Sequence, residues 1–373
     1  MEEIILQDTD VTGEIVRSLT DEIIELVHAG QPFTDINLTA DEFMMIRTPG
    51  GWVRVGETPV PEEDLKGLLS TLDHKWDSKI RDGAIDIPIS LENVRLRCNI
   101  YNVNGRRNVA LSVRVLPKAP PAIDKTGLPP QITQIINKQS GLVLITGPTG
   151  SGKTTTVASF LDHINRNRQA HIITIEQPIE YEHPRVKSIF SQKEVPTDVA
   201  TFAQGLREAV REKPDVIMIG EVRDRETAET MLQAAESGHL VFATLHTNTA
   251  DGAISKLLSF FEGQGEEKRQ MIAQTLIAVI CQGLLSHASG QKLVLAYEIL
   301  VNTHQIAKAI AEPGRLIHLR DLMRQARMGE GEARISCLMN DVLLQLLKTK
   351  EVHLADAMKA SNAPAELQAN YRP

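Results

Sequence analysis

Cysteine is scarce: Cys98, Cys281 and Cys337 are the only three in 373 residues, far apart and outside any Cys-x-x-Cys spacing. Such usage excludes a disulfide frame and a cysteine-built zinc site, and it fits a reducing compartment. Aromatic residues are also few, at 4%, which favours aliphatic α/β packing over an aromatic-rich binding surface. No apolar run approaches membrane-spanning length, and the start Met1-Glu2-Glu3-Ile4-Ile5-Leu6 lacks the basic and long apolar regions of a secretory signal. A cytoplasmic protein without direct membrane insertion is expected. Positive charge is in deficit, with 40 Lys and Arg against 48 Asp and Glu and a formal net charge of −8. Stable nucleic-acid binding is therefore not expected, because it draws on a basic face that displaces counterions.

The length exceeds the size at which one core stops growing, so two domains are expected. Ile15, Val16, Leu19, Ile23, Leu26 and Val27 recur at helical spacing and predict a helix over 15–27. Short runs at 35–38, 43–47 and 52–55 predict strands around a Pro49-Gly50-Gly51 turn, and 61–72 predicts a second helix. Alternation over 94–101 and again over 109–116 predicts a hairpin. These elements make an α+β N-terminal domain over 1–116, with a proline-stiffened linker at 117–125. From 141 onward, apolar strands at 142–145, 172–175, 216–219 and 240–244 alternate with helical stretches. That alternation predicts an α/β fold, a parallel sheet covered by helices over 126–300, followed by a helical segment over 301–373. The apolar stretches 257–261 and 342–347 are read as core in preference to docking surfaces.

Between the first of those strands and its helix stand Gly147, Pro148, Thr149, Gly150, Ser151, Gly152, Lys153 and Thr154. Glycines let backbone N–H groups turn inward around phosphates, Lys153 supplies a compact positive charge, and Thr154 is a magnesium ligand type, so ATP and Mg²⁺ are the expected ligands. A second acid should follow a neighbouring strand, and Glu221 does so one residue beyond Gly220, in place of the usual aspartate. Its alternative is an ion pair with nearby Arg223. Glu176 and Glu180 follow another strand and suit metal or water handling. His239 and His246 flank the strand at 240–244, and either is a candidate sensor of a γ-phosphate.

In combination, the segments 174–180, 219–224 and 238–248 resemble the Asp box, Walker B and His box of the type II/type IV secretion and pilus ATPase superfamily. The likeness spans nearly the whole chain, from Asp35-Ile36-Asn37-Leu38 through 94–101, and it implies a RecA-like motor behind a PAS-like N-terminal domain. It also implies that Glu221 is the principal catalytic carboxylate, that Glu176 assists magnesium or water, and that His246 senses nucleotide. Arg95, Arg97 and Arg114 are the arginines it suggests for transition-state charge, against the reading of a solvated or ion-paired strand face. Gln177 departs from the pattern, placing a neutral amide where the Asp box carries aspartate. Segments 18–28, 192–196 and 202–214 are more similar to the type IVB secretion (DotB-like) and conjugative transfer (TraJ-like) branch than to the retraction-motor branch. The latter's C-terminal motif has no clean counterpart at 306–315. The family implies a homohexamer that meets inner-membrane components of a secretion, conjugation or pilus machine at its cytoplasmic face, and the junction at 117–121 suggests that ATP binding closes one domain on the other. Two rival readings are a nucleic-acid motor and a nucleotide-binding assembly subunit that does not hydrolyse ATP.

Overall fold

The computed structural model describes residues 18–28, 33–91, 94–263 and 265–372, and the chain divides into two compact units after Lys118. In the first unit, α1 (Leu19–His28) buries Leu19 and Ile23, and the part of its expected span at 15–17 lies outside the described residues. Strands β1 (Asp35–Thr39), β2 (Met44–Thr48) and β3 (Gly51–Val55) precede α2 (Glu62–Leu72) and α3 (Trp76–Lys79). Then come β4 (Ile85–Ser90), β5 (Val94–Val103) and β6 (Asn108–Pro117). They form an antiparallel sheet in the order β3-β2-β1-β6-β5-β4. Alternation sends Leu96, Cys98 and Ile100 of β5 into the core with Ile36, Leu38, Leu65 and Leu69, and leaves Arg95 and Arg97 on the other face. β4 was not expected from the sequence because Pro88 interrupts its pattern; as an edge strand it tolerates the missing N–H.

In the second unit, α4 (Ile132–Ile136) leads to β7 (Gly141–Thr146), α5 (Lys153–Asn167), β8 (His171–Glu176) and β9 (Ile189–Glu194). After α6 (Phe202–Ala209) come β10 (Val216–Ile219), α7 (Arg225–Glu236), β11 (Leu240–Leu245), α8 (Ala250–Ser259) and α9 (Gly265–Thr275). Strands β12 (Leu276–Ser286) and β13 (Leu293–Val301) complete the sheet. It is seven-stranded in the order β13-β12-β7-β11-β10-β8-β9, parallel throughout except for β13. The closing helices are α10 (His304–Ala311), α11 (Leu319–Arg327), α12 (Met339–Lys348), α13 (Leu354–Ala360) and α14 (Pro364–Asn370).

The strands are apolar on both sides because both faces are covered. Leu142, Leu144, Ile217 and Ile219 face a core shared with α6–α11, while Val143, Ile145, Val216 and Met218 face α4, α5 and α12–α14. The closing helices are thus distributed over both sides of the sheet. Leu257 and Phe261 are fully buried, as is Leu343, with Leu347 nearly so; these stretches are core.

Candidate nucleotide site

In a parallel sheet every strand delivers its following loop to the same end. Here that end collects the loop at 147–154 after β7, Glu221 after β10, Glu176 and Glu180 at and after β8, and His246 after β11. The register keeps them level: Leu245 pairs with Thr146, and Ile219 with both Ala243 and Ile175. His239 opens β11 at the opposite end, where its Nδ1 lies 2.9 Å from the Ala234 carbonyl oxygen. Of the two histidine candidates only His246 is at the loop end, and strand direction is the reason.

The loop is built around close approaches. Gly147 has φ of 147°, and a Cβ there would sit 2.2 Å from the Gln282 carbonyl oxygen and 2.6 Å from Ser151 Oγ, so no larger residue fits. Gln282 of β12 braces the loop by donating from Nε2 to the Ser151 carbonyl at 2.8 Å. Lys153 Nζ donates to the carbonyls of Gly147 at 2.8 Å and Pro148 at 3.1 Å, which holds its ammonium inside the turn. Burial lowers the Lys153 pKa, and the charges of Glu221 and Glu180 pull it back up. Helices α6, α7, α8 and α10 begin with a side chain capping their first turn, whereas α5 begins at Gly152 with none. The free N–H groups of that first turn, with the helix dipole, suit an anion. Ser151 Oγ is buried without a hydrogen-bond partner, a polar atom left over for a bound group.

Gly220 extends β10 by one residue, donating to the Ile175 carbonyl at 2.8 Å. A Cβ on it would meet that same oxygen at 3.0 Å and Glu176 Cα at 3.4 Å, so strand packing explains the glycine and moves the acid to position 221. Glu221 takes the Arg223 ion pair expected as its alternative and, beyond expectation, a contact with His246. Its Oε1 lies 3.1 Å from His246 Nε2, and its Oε2 lies 2.6 Å from an Arg223 guanidinium nitrogen. Burial alone would raise its pKa, but Arg223 first and His246 second outweigh burial and hold it below the ordinary value; it is a carboxylate at neutral pH.

Glu176 is a different kind of acid. It is 6% exposed, and its Oε1 accepts from Thr174 Oγ1 at 2.7 Å and from Gln192 Nε2 at 3.2 Å. Burial outweighs these hydrogen bonds and raises its pKa to about 7. Gln192 and Thr174 escaped sequence reasoning, as did Gln282 and the pairing of Thr146 Oγ1 with Thr247 Oγ1 at 2.7 Å. Gln192 was visible only as part of a matching segment, and Gln282 carried no local signal. Gln177 is exposed, so the amide replaces a charge on the surface.

Arg95, Arg97 and Arg114 belong to the first unit. Arg97 and Arg114 are register partners, as are Arg114 and Asp35. Arg114 pairs with Asp35 at 2.9 Å, and Arg97 lies 3.5 Å from Asp86. They share one strand face with two acids, the ion-paired arrangement foreseen as their alternative.

The Thr154 hydroxyl and the carboxylates of Glu221 and Glu176 are oxygen donors of the kind that fits a hard cation such as magnesium. Among the described residues no group of three or more His, Cys, Asp or Glu could hold a metal ion. Also among the described residues, no helix is long and apolar enough to cross a membrane.

A glycine loop running from a parallel strand into an uncapped helix start, with a strand-end carboxylate two strands away, defines a RecA-like P-loop nucleotide-binding protein. The Type II/IV secretion system protein family matches residues 69–312, and the chain belongs to that family. It is 37% identical over 290 residues to the type IV pilus retraction ATPase PilT of Pseudomonas aeruginosa, covering 76% of this chain and 83% of that protein. Among solved structures, the pilus retraction motor PilT with bound ADP matches with a TM-score of 0.80 and 39% identity, over 95% of this chain and 99% of that one. The Legionella pneumophila ATPase DotB matches with a TM-score of 0.81 and 25% identity, over 92% and 96% of the two chains.

Proposed function

We propose that this chain hydrolyses ATP as a homohexameric motor, and that domain motion driven by hydrolysis powers a type IV secretion or conjugation apparatus through its inner-membrane components. The observation that carries the reading is Glu221, an ionised strand-end carboxylate bonded to His246 and electrostatically coupled to the loop lysine. Lys153 and the backbone N–H groups of 147–154 would bind the phosphates, and Glu221 would orient the attacking water and take its proton. His246, bonded to that same carboxylate, would register whether the γ-phosphate is present. Glu176, poised to hold or release a proton near pH 7, would position water beside it. Magnesium, when bound with ATP, neutralises phosphate charge, and Thr154, Glu221 and Glu176 are the residues that would hold it. Arg95, Arg97 and Arg114 would add positive charge in the transition state from one strand face, each to a modest extent because Arg97 and Arg114 are already ion-paired.

A second reading, a pilus retraction motor, is favoured by the higher identity to PilT than to DotB. Magnesium-dependent phosphate release by the purified chain, with and without DNA at physiological salt, tests the activity. Release indifferent to DNA supports the motor, stimulation by DNA moves the reading to a nucleic-acid motor, and no release leaves a nucleotide-binding assembly subunit. Complementation of a conjugation-deficient strain and of a twitching-deficient strain separates the two machines.

A further inference from the structure

The loop that carries His246 is held at three points, and two of them come from the chain after β12. At its start, the Thr247 N–H donates to Thr146 Oγ1 at 2.9 Å, next to the phosphate loop. At its middle, Asn362 Nδ2, between α13 and α14, donates to the Asn248 carbonyl at 2.9 Å. At its end, the Ala250 N–H that opens α8 donates to Glu298 Oε1 at 2.9 Å.

The last two anchors are joined to each other. The second oxygen of Glu298, a residue 1% exposed, accepts from the Met339 N–H at 3.3 Å. The next residue, Asn340, accepts from Ser361 Oγ at 2.6 Å through Oδ1 and donates from Nδ2 to the Ala363 carbonyl at 3.0 Å. Those residues flank Asn362, so the hydrogen bonds close a ring: histidine loop, Glu298, α12, Asn340, residues 361–363, and back to Asn248. Removing a donor to an otherwise ordered carbonyl frees the loop without emptying a core, because Asn362 is half-buried.

We propose that Asn362 is a positioning residue for the reaction: through the Asn248 carbonyl, the C-terminal helices hold His246 in register with Glu221. Asn362 lines one cavity with Asn248 and with Pro148, Thr149, Gly150 and Ser151 of the phosphate loop, so the split between kcat and KM separates an effect passed through the histidine from one on nucleotide binding. The inference rests on the reading of Glu221 and His246 as hydrolytic machinery.

The test is a double-mutant cycle on the purified full chain, with kcat and KM for ATP measured in wild type, Asn362→Ala, His246→Ala and the double variant. Asn362→Ala is expected to lower kcat about fivefold with KM changed less than about twofold, and the double variant to match His246→Ala alone. Asn362→Asp, which keeps the size and loses the N–H donor, is expected to show the same kcat loss with an unchanged thermal melt. An unchanged kcat in either single Asn362 variant, a change confined to KM, or a further loss in the double variant would overturn the proposal. Wild-type protein that binds ATP but does not hydrolyse it would overturn the motor reading as well, whereas active wild type with an indifferent Asn362→Ala overturns this inference alone.

Discussion

In the seven-stranded sheet, Lys153, Glu176, Glu221 and His246 stand at or after the ends of parallel neighbours, and Lys153, Glu221 and His246 bond or couple to one another. In the six-stranded sheet, Arg95, Arg97 and Arg114 stand within antiparallel strands, on an outward face, where Arg114 pairs with Asp35 and Arg97 with Asp86. The difference is topological. A parallel sheet sends every loop to one end, so residues distant in sequence converge at a point, while an antiparallel sheet spreads alternate residues across a face. Convergent groups should act as a unit and respond non-additively to substitution; spread groups should respond singly and modestly.

The largest effect is expected at the loop. Lys153→Ala should weaken ATP binding by at least about 100-fold in a fluorescent-nucleotide titration, because nothing else in the turn supplies its buried positive charge. Retained affinity would break the convergent picture. His246→Ala should reduce kcat about tenfold and leave nucleotide affinity nearly unchanged, in phosphate-release kinetics. Equal losses in kcat and affinity would make the histidine a phosphate ligand.

Glu176 gives a stability test. Its folded pKa of about 7 lies above the ordinary carboxylate value of 4.5, so the folded state keeps a proton that the unfolded chain releases. Stability contributed by that proton is complete at low pH and is lost as pH rises from about 4.5 to about 7. Glu176→Gln should therefore raise the melting temperature more at about pH 8 than at about pH 5; an equal shift at both would mean the carboxyl is ionised in the fold. The smallest effect is expected on the arginine face. Arg114→Ala should change kcat no more than about threefold and stability by less than about 1 kcal/mol, since an exposed ion pair contributes little. A collapse of turnover would show that the spread face serves the phosphates directly.

Much of this arrangement was legible before any coordinates. The strands at 216–219 and 240–244, the loop at 147–154 and the acid at 221 are contiguous signals, each readable where it stands, although the sheet order β7-β11-β10-β8 is not their order in the chain. The direction of a parallel strand even separates His246 from His239, an inference open to the sequence but not drawn from it. Other features depend on contacts between distant segments. The apolar run at 276–281 has no periodicity that distinguishes a buried strand from a buried helix, so β12 went unforeseen, and with it the bracing of Ser151 by Gln282. Glu176 was placed at a strand end, but its hydrogen bond from Gln192 on the adjacent strand β9 was not foreseen. Gly220 looked like a departure from a pattern until the Ile175 carbonyl, 3.0 Å from where a Cβ would stand, showed how crowded that position is.

The central claim is that Glu221 performs chemistry and does not merely balance Arg223 and His246. Its most direct test compares ATP affinity and single-turnover hydrolysis in purified wild type and Glu221→Gln. The account predicts that the variant binds ATP as tightly as wild type while hydrolysis slows by at least about 100-fold. Hydrolysis at the wild-type rate in Glu221→Gln would contradict it.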